Sequence, residues 1–352
     1  MTVRTCTKVN IGLNVLRRRP DGYHDLETLF VPYHGFGDVL SVEPAEALSI
    51  EIEREGGVDW DPMQDLTVRA WRLLKADFPQ LPEVSIHLEK HAPVGAGLGG
   101  GSADAAFMLR ALNDLAGLGL DDSALASYAA RLGSDCAFFI RMKKLPSTIP
   151  LHPQGTEGRS PQTPPVADAP NLYQPMFASG RGEILEPFDI DLSGYELKVE
   201  IPTDASGAPV AVSTREAYGG IVPRDRWYEV GKVPGKWSAA DFGPYCGREA
   251  LGKWSAADFG PHCGREALGK QAEADFGPYE HEASACFPST ESLRDLLRLP
   301  VEQWRGRVVN DFESTVCPLH PEIPALIADF YARGAVYAAM SGSGSSVFGL
   351  FK

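Results

Sequence analysis

The chain has 352 residues, with 33 Lys+Arg against 47 Asp+Glu and a formal net charge of −14. That acidity argues against nucleic acid or an anionic membrane surface as a partner. A 43% apolar content is that of a globular core, and no apolar run approaches the ~18 residues that read as a spanning helix.

At the N-terminus, Met1-Thr-Val-Arg-Thr-Cys6 has no signal-peptide core, because Asn10, Gly12 and Asn14 interrupt the first apolar stretch. The six cysteines (6, 136, 246, 263, 286 and 317) form no CxxC pair. The expectation is a soluble, cytoplasmic protein with ordinary reduced thiols. Lys8 and Asn10 lie two apart, so on a strand they share one face. A glycine turn, Asp21-Gly22-Tyr23-His24, follows them. The plainer reading of Lys8 is a solvated charge on an edge strand.

Val84, Ile86 and Leu88 alternate with polar residues and predict a strand. Ala105, Leu109, Leu112 and Ala116 recur at helical spacing. Between them lies Pro93-Val-Gly-Ala-Gly-Leu-Gly-Gly-Gly-Ser-Ala-Asp-Ala-Ala106, with Ser102 as the expected N-cap of the helix. Gly95, Gly97, Gly99, Gly100 and Gly101 let backbone N–H groups approach a ligand, and a helix N-terminus favours anions. Strand, glycine loop and helix together predict a phosphate cradle. As a bare GxGxxG it also fits a dinucleotide fold, although Asp114 falls in the same helix rather than after a second strand. A tight turn that binds nothing is the other reading.

The 36 Gly and 28 Pro exceed the usual combined share of about 12%. Two segments account for much of the excess. Arg141–Leu172 carries Pro146, Pro150, Pro153, Pro161, Pro164, Pro165 and Pro170 without periodic apolar residues, and reads as an exposed loop. Gly235–Leu251 reads GKWSAADFGPYCGREAL and recurs at Gly252–Leu268 with Tyr245 replaced by His262; a third, decayed copy follows. Near-identity at so short a period points to a local duplication tolerated on the surface rather than a stacked repeat fold. The repeat also holds GxxxxGK at Gly247–Lys253, but Trp254 stands where a phosphate loop needs Ser or Thr. Setting both insertions aside leaves a shorter candidate core, whose acidity is intrinsic to its own residues.

The triple glycine followed by Ser102-Ala-Asp-Ala-Ala106 resembles the phosphate loop of the GHMP kinases, the galactokinase, homoserine kinase, mevalonate kinase and phosphomevalonate kinase superfamily. Within it, the chain looks most like the branch that phosphorylates a cytidyl diphosphate of methylerythritol in isoprenoid precursor synthesis. Further stretches resemble that branch in the same order. These are Lys8-Val-Asn10-Ile-Gly-Leu-Asn14 with Arg19–Thr28, Leu132-Gly-Ser-Asp135-Cys-Ala-Phe-Phe139, Gly180–Glu183, Val212–Tyr218, Asn310–Glu313 and Met340–Phe351.

The resemblance implies an α+β, two-domain GHMP kinase fold. Residues 1–189 would form a ribosomal S5 domain 2-like ATP-binding domain, and 190–352 a ferredoxin-like C-terminal domain. It implies ATP as co-substrate with Mg2+, and Lys8 and Asp135 as catalytic residues. Pro93, Gly95, Gly97, Leu98, Gly99, Gly100, Gly101 and Ser102 would hold the nucleotide, with Ser102 also serving the metal. Asn10, Tyr23, His24, Thr214 and Tyr218 would bind the cytidyl diphosphate substrate. Tyr23 and Tyr218 would sandwich the cytosine while His24 bonds its edge. Asp135 also reads more plainly as the cap of the apolar Cys136–Ile140 segment. The Met340–Phe351 stretch reads equally as structural support for the phosphate loop. The family usually carries Asn near Asp65-Leu66, so the adenine contact departs there. Monomer or homodimer, with neither nucleic acid nor membrane as partner, completes the expectation. The alternatives are another GHMP small-molecule kinase, of homoserine or mevalonate type, and a non-catalytic nucleotide-binding relative.

Overall fold

The structure, a computed structural model of the chain, describes residues 1–142, 174–226 and 291–352. The duplicated segment with its GxxxxGK, and all but the first two residues of the proline-rich stretch, lie outside the described residues.

Strands β1 (Thr2–Arg4), β4 (Val39–Pro44), β6 (Val84–Glu89) and β5 (Ser49–Glu53) form one sheet, in the order β1-β4-β6-β5. Its pairings are antiparallel except β5 with β6. The alternation predicted around Val84, Ile86 and Leu88 is observed: those three are buried while Ser85 is exposed. Helices α1 (Leu66–Asp77), α2 (Gly100–Ala116), α3 (Asp122–Leu132) and α4 (Cys136–Arg141) cover this face. Of the periodic residues read from the sequence, helix α2 buries Ala105, Leu109 and Leu112 and partly buries Ala116. It ends at Gly117, whose left-handed conformation turns its N–H back onto the last carbonyls.

A second sheet contains β2 (Thr7–Arg18), β3 (His24–Tyr33), β7 (Met176–Ser179) and β8 (Ile184–Pro187) in that order, all antiparallel. A third holds β10 (Tyr337–Met340), β11 (Val347–Phe351) and β9 (Glu196–Glu200), also antiparallel. Short helices α5 (Thr214–Tyr218), α6 (Leu293–Leu296) and α7 (Glu313–Val316) and the longer α8 (Glu322–Ala332) accompany it.

Strand β2 is buried from Thr7 to Val15, so polar side chains on it must find partners inside the protein. Val9 and Ile11 pack with Leu293, Trp304 and Phe348, leaving Lys8 and Asn10 for the opposite face. A bulge between Ile11 and Leu13 interrupts the alternation. Beyond it Leu13 and Val15 join a different cluster, with Phe312, Phe330 and Met340. Strict alternation would have carried the polar face on to Asn14; the bulge brings Leu13 to the cleft instead.

Candidate active site

A cleft of about 1180 Å³ is lined by the face of β2 bearing Lys8 and Asn10, the glycine loop, the start of α4, and α5. Every site residue read from the sequence lines it: Lys8, Asn10, Tyr23, His24, Pro93, Gly95, Gly97, Leu98, Gly99, Gly100, Gly101, Ser102, Asp135, Thr214 and Tyr218. Pockets for small ligands span roughly 300–1,000 Å³, so this cleft is a large one.

The loop enters α2 differently from the sequence expectation. Gly99, not Ser102, is the N-cap; it has φ +73°, a region an L side chain rarely adopts, and makes no side-chain cap bond. Ser102 sits inside the first turn with its hydroxyl against the Cys136 thiol. The glycine run starts the helix earlier, so its first N–H groups, which lack intrahelical partners, belong to residues that line the cleft. Gly97 is required by its neighbours as well: a Cβ there would lie 2.4 Å from the Ser341 carbonyl oxygen.

Lys8 is 3% exposed, which removes the edge-charge reading. Its ammonium donates to Asn10 Oδ1 at 2.6 Å and to the Gly97 carbonyl at 2.8 Å, and pairs with Asp135 Oδ2 at 3.3 Å. Asn10 is itself fixed by donating to Thr28 Oγ1, which donates onward to the Gly12 carbonyl. Asp135 precedes α4 but makes no side-chain cap bond, so the capping reading fails too. Its carboxylate instead faces Lys8 at a half-buried position in the cleft.

The turn between β10 and β11 braces the loop from behind. Ser346 donates its hydroxyl to the Ala96 carbonyl at 2.6 Å, and Ser341 Oγ accepts the Asn10 N–H. Asn310 donates to the carbonyls of Met340 and Gly342 at 2.9 and 2.8 Å. The support reading of Met340–Phe351 is therefore realised, and Gly342 and Ser343 also line the cleft.

The aromatic end departs from the expected sandwich. His24 and Tyr218 stack on each other, with ring centroids 4.8 Å apart and planes at 18°. Tyr23 instead stands 56% exposed with the Arg181 guanidinium 4.9 Å from its ring centre. The difference follows from the turn. Asp21 accepts the Tyr23 N–H and is gripped by Arg19, so Tyr23 points outward as His24 begins β3. Tyr218 also packs edge-on against Phe312, 4.7 Å between centroids. Burial, and then the charge of Arg18, lowers the His24 pKa; the imidazole is thus neutral near pH 7, with one donor and one acceptor nitrogen. Burial pushes the Tyr218 phenol up to about 12.

Among the described residues no group of three or more His, Cys, Asp or Glu forms a metal cage. The Asp135 carboxylate and Ser102 hydroxyl are hard oxygen donors on one cleft, which fits a magnesium ion arriving with a polyphosphate that supplies its other oxygens.

Comparison with known proteins accords with this geometry. Residues 65–142 match the GHMP kinases N terminal domain, and residues 286–352 match the GHMP kinases C terminal. A 4-diphosphocytidyl-2-C-methyl-D-erythritol kinase of Azobacteroides pseudotrichonymphae is 35% identical, over 98% of this chain and 91% of that protein. One from Bacteroides fragilis is 34% identical, over 98% and 89%. The chain belongs to the 4-diphosphocytidyl-2-C-methyl-D-erythritol kinase family. A crystal structure of a 4-(cytidine 5'-diphospho)-2C-methyl-D-erythritol kinase superposes with a TM-score of 0.56 at 27% identity, covering 99% of this chain and 90% of that one. The two-domain GHMP kinase fold expected from the sequence is thus the fold observed. No helix among the described residues is long and apolar enough to cross a membrane.

Several residues of this family member's cleft had no assigned role in the sequence reading. Trp60, Gln64, Arg181, Arg215, Phe312 and Ser343 line it without a local motif that marks them as ligand-facing. Arg181, Arg215, Phe312 and Ser343 sit in stretches that resemble the family, and that was their only signal. Asp65, near which the family usually carries Asn, caps α1: its Oδ1 accepts the Thr67 N–H at 2.9 Å and the Thr67 hydroxyl at 2.7 Å.

Proposed function

We propose that this chain transfers the γ-phosphoryl group of ATP to the 2-hydroxyl of 4-diphosphocytidyl-2-C-methyl-D-erythritol, giving the 2-phosphate and ADP in isoprenoid precursor synthesis. The observation that carries this reading is the Lys8–Asp135 pair, 3.3 Å apart, beside a glycine loop that feeds a helix N-terminus. Phosphoryl transfer depends on positioning and on neutralising charge on the moving group. The amides of Gly95–Gly101 and the start of α2 cradle the ATP phosphates. Asp135 orients the substrate hydroxyl and takes its proton as the oxygen bonds to the γ-phosphorus and the bond to ADP breaks. Lys8, fixed by Asn10 and the Gly97 carbonyl, pairs with Asp135 and stabilises the transferred group. Asp135 and Ser102 would hold Mg2+ brought with ATP, and the ion would neutralise phosphate charge.

At the other end, Tyr218, His24 and Tyr23 receive the cytosine. A base needs about 7 Å between two flanking rings, and His24 and Tyr218 leave 4.8 Å. Substrate therefore parts that pair, and the ring of Tyr218 becomes one face of the site. Thr214 begins α5, whose far end carries Tyr218, and Thr214 and Asn10 supply polar contacts to the rest of the substrate. The division at residues 189 and 190 is supported by the sheets, since β8 ends at Pro187 in the second and β9 begins at Glu196 in the third. The acidic charge argues against nucleic-acid or anionic-membrane partners, and the free cysteines among the described residues suit a cytoplasmic location.

The test is ATP consumption against a panel of alcohols, with the product identified by phosphorus NMR. Turnover is expected with the cytidyl diphosphate alone. Phosphorylation of homoserine or mevalonate but not of the cytidyl compound would overturn the assignment.

A further inference from the structure

Beside the glycine loop, where Lys90 reaches the wall of the cleft, lies a charged cluster that the phosphoryl-transfer scheme does not use. Lys90, at the end of β6, donates to Asp38 Oδ2 at 2.5 Å and to Asp104 Oδ2 at 2.7 Å. The side chains of Lys90, Asp38 and Asp104 are 5%, 0% and 2% exposed. The remaining acceptor sites are filled as well. Asp38 Oδ1 accepts the N–H groups of His91 and Ala92 at 2.6 and 2.7 Å. Asp104 Oδ1 accepts the Thr5 hydroxyl at 3.1 Å, and Thr5 Oγ1 in turn accepts the Asp38 N–H.

The connectivity gives this cluster its meaning. Lys90, His91 and Ala92 are the chain entering the glycine loop, and Asp104 lies on the helix leaving it. Asp38 precedes β4, the neighbour of β6 in the first sheet. Three elements that bracket the loop are thus joined at one ammonium. A Cβ on Gly100, the first residue of α2, would lie 3.1 Å from Ala92 Cβ, 3.7 Å from Asp38 Oδ2 and 3.9 Å from Lys90 Nζ. The cluster packs directly beneath the point where loop becomes helix.

Buried ion pairs give little net stability, because desolvation offsets much of their attraction. What they impose is direction and spacing, since each bond here works only over a few tenths of an ångström. We propose that the buried Asp38–Lys90–Asp104 cluster is a positioning device for nucleotide binding, fixing the two limbs of the glycine loop so that its amides converge on the ATP phosphates. This rests on the nucleotide reading given under Proposed function. Lys90 and Asp104 act through the loop, and Lys90 also offsets the two carboxylates that would otherwise face the polyphosphate from behind.

The experiment is equilibrium binding of ATP by calorimetry without acceptor, alongside thermal melting and steady-state kinetics. Lys90→Met and Asp104→Asn are both expected to weaken ATP binding, by about tenfold or more given the sensitivity of such sites to sub-ångström misplacement. Lys90→Met has the larger effect, because it leaves two carboxylates unpaired. The KM for ATP should rise while the KM for the cytidyl substrate stays within about twofold, a split that a purely structural role would not produce. Should Asp104→Asn fail to fold, Thr5→Val removes one bond from Asp104 and should weaken ATP binding about threefold, with Thr5→Ser restoring it. ATP affinity unchanged in Asp104→Asn, or in the folded Thr5→Val, overturns the proposal. So does a loss confined to Lys90→Met, which would make Lys90 a direct ligand. Wild-type protein that binds no ATP defeats the nucleotide reading instead.

Discussion

At the glycine-loop end of the cleft, polar side chains behind the backbone are buried and paired. Lys8 has three partners, Asn310 braces two carbonyls, and Ser346 holds Ala96. At the aromatic end Tyr23 is largely exposed, and His24 and Tyr218 stack on each other. One end is assembled before any ligand arrives; on the proposed reading the other rearranges to admit one. A preorganised polar end suits charge stabilisation, which loses its advantage if dipoles must first reorient. An aromatic end can adjust at small cost, because stacking is worth only about 0.5–1.5 kcal/mol beyond the area buried.

The contrast can be broken first at the rigid end. Gly97→Ala puts a Cβ 2.4 Å from the Ser341 oxygen at a φ of +73°. Loop and brace must then separate, and ATP affinity measured by calorimetry is expected to fall about a hundredfold. An affinity within twofold of wild type would mean that the loop is not held as described.

At the adjustable end, Tyr218→Ala removes one face of the aromatic site together with its packing on Phe312. The KM for the cytidyl substrate should rise about tenfold to fiftyfold, while the KM for ATP changes little. Equal rises in both constants would erase the division between the two ends.

The smallest expected effect concerns pH. Burial, with help from Asp311, raises the Glu313 carboxyl from 4.5 to about 7, although its Oε1 accepts the Met340 N–H. The folded protein therefore holds this proton more tightly than the unfolded chain. The resulting stabilisation is full below pH 4.5 and is lost as pH rises towards about 7. Glu313→Gln should lack that loss, so its melting temperature relative to wild type should climb by a few degrees across the window. Parallel melting profiles would remove this carboxyl from the account.

The two ends also differ in how far the sequence disclosed them. The glycine loop was legible because its parts are contiguous: alternating Val84, Ile86 and Leu88, then five glycines, then a periodic helix. Lys8 and Asn10 were legible because a strand fixes which side chains share a face. Ser102 was misplaced as the cap because the glycine run tolerates left-handed backbone and starts the helix earlier. The bulge after Ile11 left no clear sign beyond Gly12, yet it decides that Leu13 reaches the cleft. The His24–Tyr218 stack and the Asp38–Lys90–Asp104 cluster join residues far apart in the chain. No local pattern encodes such contacts, and tertiary packing alone creates them.

The central claim is that Asp135, held opposite Lys8 beside the glycine loop, handles the proton of the acceptor hydroxyl. The direct measurement is ATP turnover with the cytidyl diphosphate substrate, wild type beside Asp135→Asn, with ATP binding followed in the same preparations. The variant should bind ATP within a few-fold of wild type and lose about a thousandfold or more in turnover, the scale of general-base and electrostatic terms combined. Turnover that survives the substitution unchanged would contradict the assigned chemistry.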